Sequence, residues 1–178
     1  MKKEQSPATL DRLDAWFEET RQAFDPDVQK TKQQALERFK EIGFPYFKME
    51  KWRHSKINDA LNFDYHMYTK KFNPDLSRED IFECDVDELD VFTINLYRGH
   101  YVYKDQPIFK LANGTIIGSL AAAFKTYPEL VQKHFGKYFK EGEEKAFDLL
   151  NTALFLDGLF VYVPKNTKID KPIQLINA

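Results

Sequence analysis

The chain has a single cysteine, Cys84, in 178 residues, which excludes an internal disulfide framework and any thiolate metal cage built within one copy. It also lacks charge of one dominant sign: 26 Lys and Arg stand against 28 Asp and Glu, a formal net charge of -2. Without an excess of basic residues there is no electrostatic basis for holding a nucleic-acid backbone or an anionic membrane. Long hydrophobic runs are missing too. The longest apolar stretch, ALFLDGLFVYVP, contains Asp157 and reaches about a dozen residues, short of the roughly 20 needed to cross hydrocarbon. The opening MKKEQSPATLDRLDAWF is charged and then amphipathic, with neither the apolar core nor the small-residue cleavage site of a secretory leader. Asn113-Gly114-Thr115 spells a glycosylation sequon, which in this setting reads as a turn. Together these absences give the expectation of a cytoplasmic chain.

What is present argues for a folded chain. A hydrophobic fraction of 43% and an aromatic fraction of 15% exceed what disorder allows. The length fits one domain, or one domain with part of another. No repeat of fixed period is visible.

The first third reads as two helices. Ser6-Pro7 supplies a cap and a first-turn proline, and Leu10, Leu13, Phe17 and Phe24 follow at helical spacing. Asp25-Pro26-Asp27 breaks this helix and caps a second, in which Val28, Ala35, Leu36, Phe39 and Ile42 form an apolar stripe with Lys, Gln and Glu on the other face. Gly43 suits a left-handed stop, and Phe44-Pro45 forbids continuation. Residues 46–90 are irregular, aromatic and charged, with a short helix expected near Lys56 to Leu61. This first region, 1–90, is taken as helical with an irregular tail, and 91–178 as mixed α/β.

From Val91 the period changes to two. Phe92, Ile94 and Leu96 alternate with Thr93, Asn95 and Tyr97, and Gly99 turns the chain toward Tyr101. Asn113-Gly114 between two apolar runs predicts a hairpin. Helices follow through SLAAAF, from Pro128 to Phe135 with Gly136 as the stop, and from about Glu143 to Leu154. Asp157-Gly158 is expected as a turn, Leu159 to Val163 as a strand, and Lys165-Asn166-Thr167 as another turn. Ile173 to Ile176 then opens a strand for which no partner can be seen, although its backbone groups require one. Either another molecule or a continuation of the chain would supply it.

No catalytic, cofactor-binding or metal-binding residue can be assigned. His54, His66, His100 and His134 lie far apart and fall in no HExxH-type arrangement. Cys84 sits in ECDVDELD, where carboxylates raise a thiol pKa and leave the group inert. Counted from Asp85, a calcium loop would need Gly and Glu where Asp90 and Leu96 stand, so Glu83 to Asp90 reads as a solvated face. Gly114 to Gly118 lacks the Lys-Ser/Thr ending of a phosphate loop, and Ser119 lacks the second glycine of a nucleophile elbow. Trp52-Arg53-His54, with Tyr46, Phe47, Phe63, Tyr65 and Tyr68 nearby, could stack on single-stranded bases. The overall charge favours core packing or a protein interface instead. Residue types alone therefore indicate an aromatic-rich interaction or scaffold module, not an enzyme.

Two blocks carry a resemblance. QALERFKEIGFPYFKMEKWRHSKIND, residues 34–59, is a helix ending in Gly43-Phe44-Pro45 followed by a charged stretch to Trp52. LFLDGLFVYVPKNTKIDKPIQLI, residues 154–176, contains Asp157-Gly158, Val163-Pro164-Lys165 and Pro172-Ile173-Gln174. In this order they resemble the N-terminal part of the SufB/SufD family of iron–sulfur cluster assembly proteins, and the Pro-Ile-Gln-Leu-Ile ending is closer to the SufD side. Lys48-Met49-Glu50-Lys51 is less acidic than the family's usual run before the tryptophan. The resemblance implies an α+β fold in which helices and a mixed segment lead into the first strands of a right-handed parallel β-helix, truncated here because family members are more than twice as long. It also implies a non-catalytic scaffold, with SufB and the ATP-using SufC as partners of the whole protein and iron–sulfur clusters handled by the full complex. No functional residue carries over to these positions. The exposed terminal strand would favour self-association. The competing expectation is a self-contained protein–protein interaction module unrelated to cluster assembly.

Overall fold

A computed structural model describes residues 7–46, 48–55, 57–61, 90–103, 105–137 and 145–177. Contacts divide the chain into two units, one comprising Met1–Thr69 with His134–Phe155 and the other Lys70–Lys133 with Leu156–Ala178.

The first unit is built on helices α1 (Pro7–Arg21) and α2 (Pro26–Ile42), a single 3-10 turn at Glu50–Trp52, the short α3 (Ile57–Leu61) and, after a long excursion of the chain, α6 (Ala146–Leu154). The boundaries follow from local chemistry. Asp25 caps α2: its Oδ1 accepts the amides of Asp27 at 3.0 Å and Val28 at 3.1 Å, and Pro26 occupies the first turn, where no donor is needed. At the far end Gly43 takes φ 67°, a value that disfavours any side chain, and its amide returns to the Phe39 carbonyl. Leu13 and Phe17 of α1, Ala35, Leu36, Phe39 and Ile42 of α2, and Ala146, Leu149 and Ala153 of α6 form one core. Phe39, fully buried, meets Phe44 edge-on at 4.9 Å, a preferred aromatic geometry.

The stripe on α2 differs from the expected one in a single residue. Lys32, assigned from the sequence to the polar face, is 0% exposed. Its position explains this, since it lies four residues after Val28 and four before Leu36, both buried on the same face.

The second unit contains two three-stranded sheets, in the orders β2-β1-β6 and β3-β4-β5. Strand β1 (Phe92–Tyr97) turns through Arg98 at φ 50° and Gly99 at φ 79° into β2 (His100–Tyr101). Two consecutive positive φ values define the tight hairpin turn that matches strand twist. Strands β3 (Ile108–Lys110) and β4 (Ile116–Ser119) form the second antiparallel hairpin, as Asn113-Gly114 predicts. Asn113 Oδ1 accepts the Thr115 amide at 3.0 Å, and Gly114 stands at φ 86°. Strand β5 (Leu159–Tyr162) runs antiparallel to β4, and β6 (Ile173–Asn177) runs parallel to β1, with Phe92 opposite Ile173 and Leu96 opposite Asn177. Helices α4 (Leu120–Thr126) and α5 (Pro128–Gln132) complete the unit.

Two expectations need correction here. Strand β6 does have a partner within the chain: β1, some 80 residues earlier. Parallel pairing requires a long crossover, so no local pattern could reveal it. In addition, residues 155–158 contain no turn; the Asp157 side chain is used for something else.

Candidate functional site

Among the described residues no three His, Cys, Asp or Glu side chains gather to hold a metal ion, and no helix is long and apolar enough to cross a membrane. The described ones among the residues weighed from the sequence each have a local setting. His54 is exposed and accepts a hydrogen bond from Arg53 at 2.9 Å. His134 is exposed as well, while His100 is buried within β2. Ser119 caps α4, its Oγ accepting the Ala122 amide at 3.0 Å. Trp52 packs on Phe147 at 5.5 Å, and Phe147 reaches Phe44 at 6.0 Å, so this part of the aromatic stretch lies against the helical core. Asp90 receives Lys171 Nζ at 2.5 Å, an exposed pair worth little in water. His66, Cys84, the remainder of the acidic run, Phe47, Phe63, Tyr65 and Tyr68 lie outside the described residues.

Two polar centres that sequence reasoning missed stand out, one in each unit. In the helical unit Lys32 Nζ donates to the Phe155 carbonyl at 2.5 Å. The ammonium lies 4.9 Å from the Phe24 ring centroid and 4.1 Å from that of Phe155. Phe155 in turn packs on Phe24 at 4.8 Å and on Phe135 at 5.3 Å. Burial alone lowers the Lys32 pKa from 10.5 to about 7, because a low-dielectric surround disfavours the charged form. Ring faces and a carbonyl partly offset that cost for the cation. The signal in the sequence was the spacing of Lys32 within an otherwise apolar row.

In the sheet unit a single carboxylate ties several elements together. Asp157 Oδ1 accepts the Ser119 hydroxyl at 2.7 Å and the Ala121 amide at 3.1 Å, and Oδ2 accepts the Tyr101 amide at 3.1 Å. Tyr101 belongs to one sheet and Ser119 to the other, so Asp157 bridges both. The Tyr101 phenol pKa is raised by burial and then by the Asp157 charge. An acid set within an apolar run was the available signal. Both centres hold backbone in place, Lys32 through one carbonyl and Asp157 through two amides, with the Ser119 hydroxyl as its third partner.

The surface feature with binding potential is an edge. Strand β6 lies outermost in its sheet among the described residues. On it Leu175 is opposite the buried Ile94 in the parallel register, yet it is 49% exposed. The apolar face that covers Ile94 thus continues to the rim of the sheet. Val161 on β5 and the neighbouring Val163 are also exposed.

Comparison with known proteins gives a consistent picture. The model of the SufBD protein N-terminal region matches residues 12–175. The iron–sulfur cluster assembly SufBD family protein ABCI9 of Arabidopsis thaliana is 38% identical over 73 residues, 41% of this chain and 15% of that protein. The iron–sulfur cluster assembly protein SufD of Bacillus subtilis (strain 168) is 31% identical over 83 residues, 43% of this chain and 19% of its own. The SufBD family protein ycf24 of Trieres chinensis is 43% identical over 54 residues, 30% and 11% of the two chains. The matched segments therefore span less than a fifth of these relatives.

Proposed function

The chain belongs to the family of the SufBD protein N-terminal region, and from that premise we propose that it serves iron–sulfur cluster assembly as the amino-terminal part of a SufD-like scaffold without chemistry of its own. The observation that carries this reading is the family match across residues 12–175. The scaffold role is supported by the two polar centres, buried Lys32 and half-buried Asp157, whose partners are backbone groups and a capping serine. In this reading the partners of the whole protein are SufB and the ATPase SufC, and the cluster is cargo.

The parallel β1–β6 pair supports a further element of the proposal. Its β6 edge, outermost among the described residues, is the place where additional parallel strands would stack, as the opening rungs of a right-handed β-helix. An uncovered apolar edge would also pair with a second copy, which makes self-association through β6 the expected behaviour of the chain in isolation.

The test is co-purification. The protein in its complete reading frame is co-expressed with SufB and SufC carrying a single affinity tag on SufC. Recovery of all three in fixed ratio supports the scaffold reading; recovery of SufB and SufC without this protein overturns it.

A further inference from the structure

Helix α6 is apolar on more than the side it gives to the core. Ala146, Leu149 and Ala153 supply the buried face. Phe147, Leu150 and Leu154 recur at the i, i+3, i+7 spacing of a second stripe. Leu150 and Leu154 are only partly buried against the core, and Phe147 is 39% exposed. Trp52, half-buried, extends this stripe with its ring 5.5 Å from that of Phe147, and buried Phe44 supports Phe147 at 6.0 Å.

The backbone that presents Trp52 is braced. The amides of Met49, Trp52 and Ser55 close successive turns on the carbonyls of Tyr46, Met49 and Trp52 at 2.9, 2.8 and 2.9 Å. The aromatic surface is thus held in shape in advance, which lowers the ordering cost of binding. The same turns set the charge around the rings. Lys48, Lys51 and Arg53 are exposed there against Glu50, with His54 exposed beside them. On α6, Lys145 and Asp148 pair at 3.2 Å and cancel. Among the described residues the rim is therefore basic, in a chain of formal net charge -2.

We propose that Trp52, Phe147 and Leu150 form a docking surface for an acidic segment of another protein, which seats one apolar side chain on the two rings and lays its carboxylates against Lys51 and Arg53. Large aromatic side chains beside an arginine are the residue types that dominate binding energy at protein interfaces. Complementary charge at the rim sets the choice of partner and the rate of encounter. Single-stranded bases also stack on such rings, but a chain of net negative charge offers their phosphates little. This surface lies within the helical unit and does not depend on the cluster-assembly reading: failure to co-purify with SufB and SufC overturns that reading and leaves the docking surface standing.

The experiment is photo-crosslinking of the full chain in growing cells, with Phe147→p-benzoylphenylalanine as the probe and the products mapped by mass spectrometry. The expected product joins this chain to a segment of another protein in which Asp and Glu outnumber Lys and Arg. Arg53→Glu should reduce its yield by about tenfold. Lys30→Glu reverses an exposed charge at the other end of α6, where Lys32 meets Phe155, and should leave the yield unchanged. Both variants should keep the wild-type thermal midpoint, because both side chains are exposed. No product with another protein, either from Phe147→p-benzoylphenylalanine or from Asn151→p-benzoylphenylalanine at an exposed position one turn along the helix, overturns the proposal. So does a product on a segment without the acidic excess, one that nuclease removes, or one whose yield is unchanged in Arg53→Glu or falls as far in Lys30→Glu.

Discussion

The Ser119 hydroxyl donates to Asp157 Oδ1 at 2.7 Å while the same Ser119 oxygen accepts the Ala122 amide at 3.0 Å. A strand end, a helix start and the segment leading into β5 thus share one short relay. Removing the carboxylate strands the Tyr101 and Ala121 amides along with the hydroxyl. Asp157→Ala should therefore lower stability by about 2–4 kcal/mol, the range for losing hydrogen bonds to a charged group and leaving donors unpaired. Asp157→Asn, which keeps an acceptor, should cost roughly half as much. Chemical denaturation of the three proteins at pH 7 measures both losses, and equal stability of Asp157→Ala and wild type would remove the relay from the account.

Gly118 occupies β4 where two backbones nearly touch. A Cβ there would lie 2.4 Å from the Pro107 carbonyl oxygen and 2.5 Å from Ile108 Cα, neither of which can swing away as a side-chain tip could. Gly118→Ala should destabilise by about 2 kcal/mol or more and lower the thermal midpoint accordingly. Gly99→Ala meets no atom within 4 Å, so its cost should reflect only the φ of 79°, of the order of 1 kcal/mol.

At the start of α2, Asp25→Ala deletes the acceptor for two amides and should cost about 1 kcal/mol. Asp25→Ser, which restores a capping oxygen, should recover most of that loss. Thermal unfolding followed by circular dichroism distinguishes the three.

The pH dependence of global stability should carry the mark of Lys32. Its folded pKa, about 7, lies below the unfolded value of 10.5, so the unfolded chain takes up a proton first as pH falls. Stability should decrease from pH 10.5 down to 7, at up to about 1.4 kcal/mol per pH unit, and cease to depend on this group below 7. Tyr101 acts in the opposite sense. Its folded pKa is raised, so its contribution is complete below pH 10 and disappears as pH rises through the folded value. The window from 7 to 9.5 therefore isolates the lysine. Denaturation midpoints across that window should climb in the wild type and stay level in Lys32→Met.

Leu175 provides the test of the open edge. Leu175→Lys places a charge on the rim of β6, a common natural guard against edge pairing. Sedimentation at increasing concentration should show association of the wild type and a loss of it in the variant, with the melting temperature unchanged. A wild type that stays monomeric would argue against pairing through β6.

The parts of this fold that were legible in the sequence are those encoded by near neighbours. Asp25-Pro26, Gly43, Gly99 and Asn113-Gly114 each specify a backbone conformation within a few residues, and the structure has a cap, a stop and two hairpin turns at those points. The parallel register of Phe92 with Ile173 depends on contacts across some 80 residues, beyond the reach of any period. Lys32 and Asp157 were missed for a different reason: residue type suggested solvent, whereas the helical core buries Lys32 and Asp157, half-buried, bonds to groups from both sheets. The candidate site suffered most from this, because its informative groups are charges in unusual surroundings.

The order in which the helical core is assembled has a consequence during synthesis. Phe39 and Leu36 are covered by α6, yet Ala146 leaves the ribosome about a hundred residues after Ile42. At ordinary translation rates of about 5–20 residues per second the nascent stripe stays uncovered for roughly 5–20 seconds. Over that interval it is a natural client for trigger-type chaperones, and codon changes that slow elongation between 43 and 145 would lengthen the exposure and lower the yield of active material without altering a single amino acid.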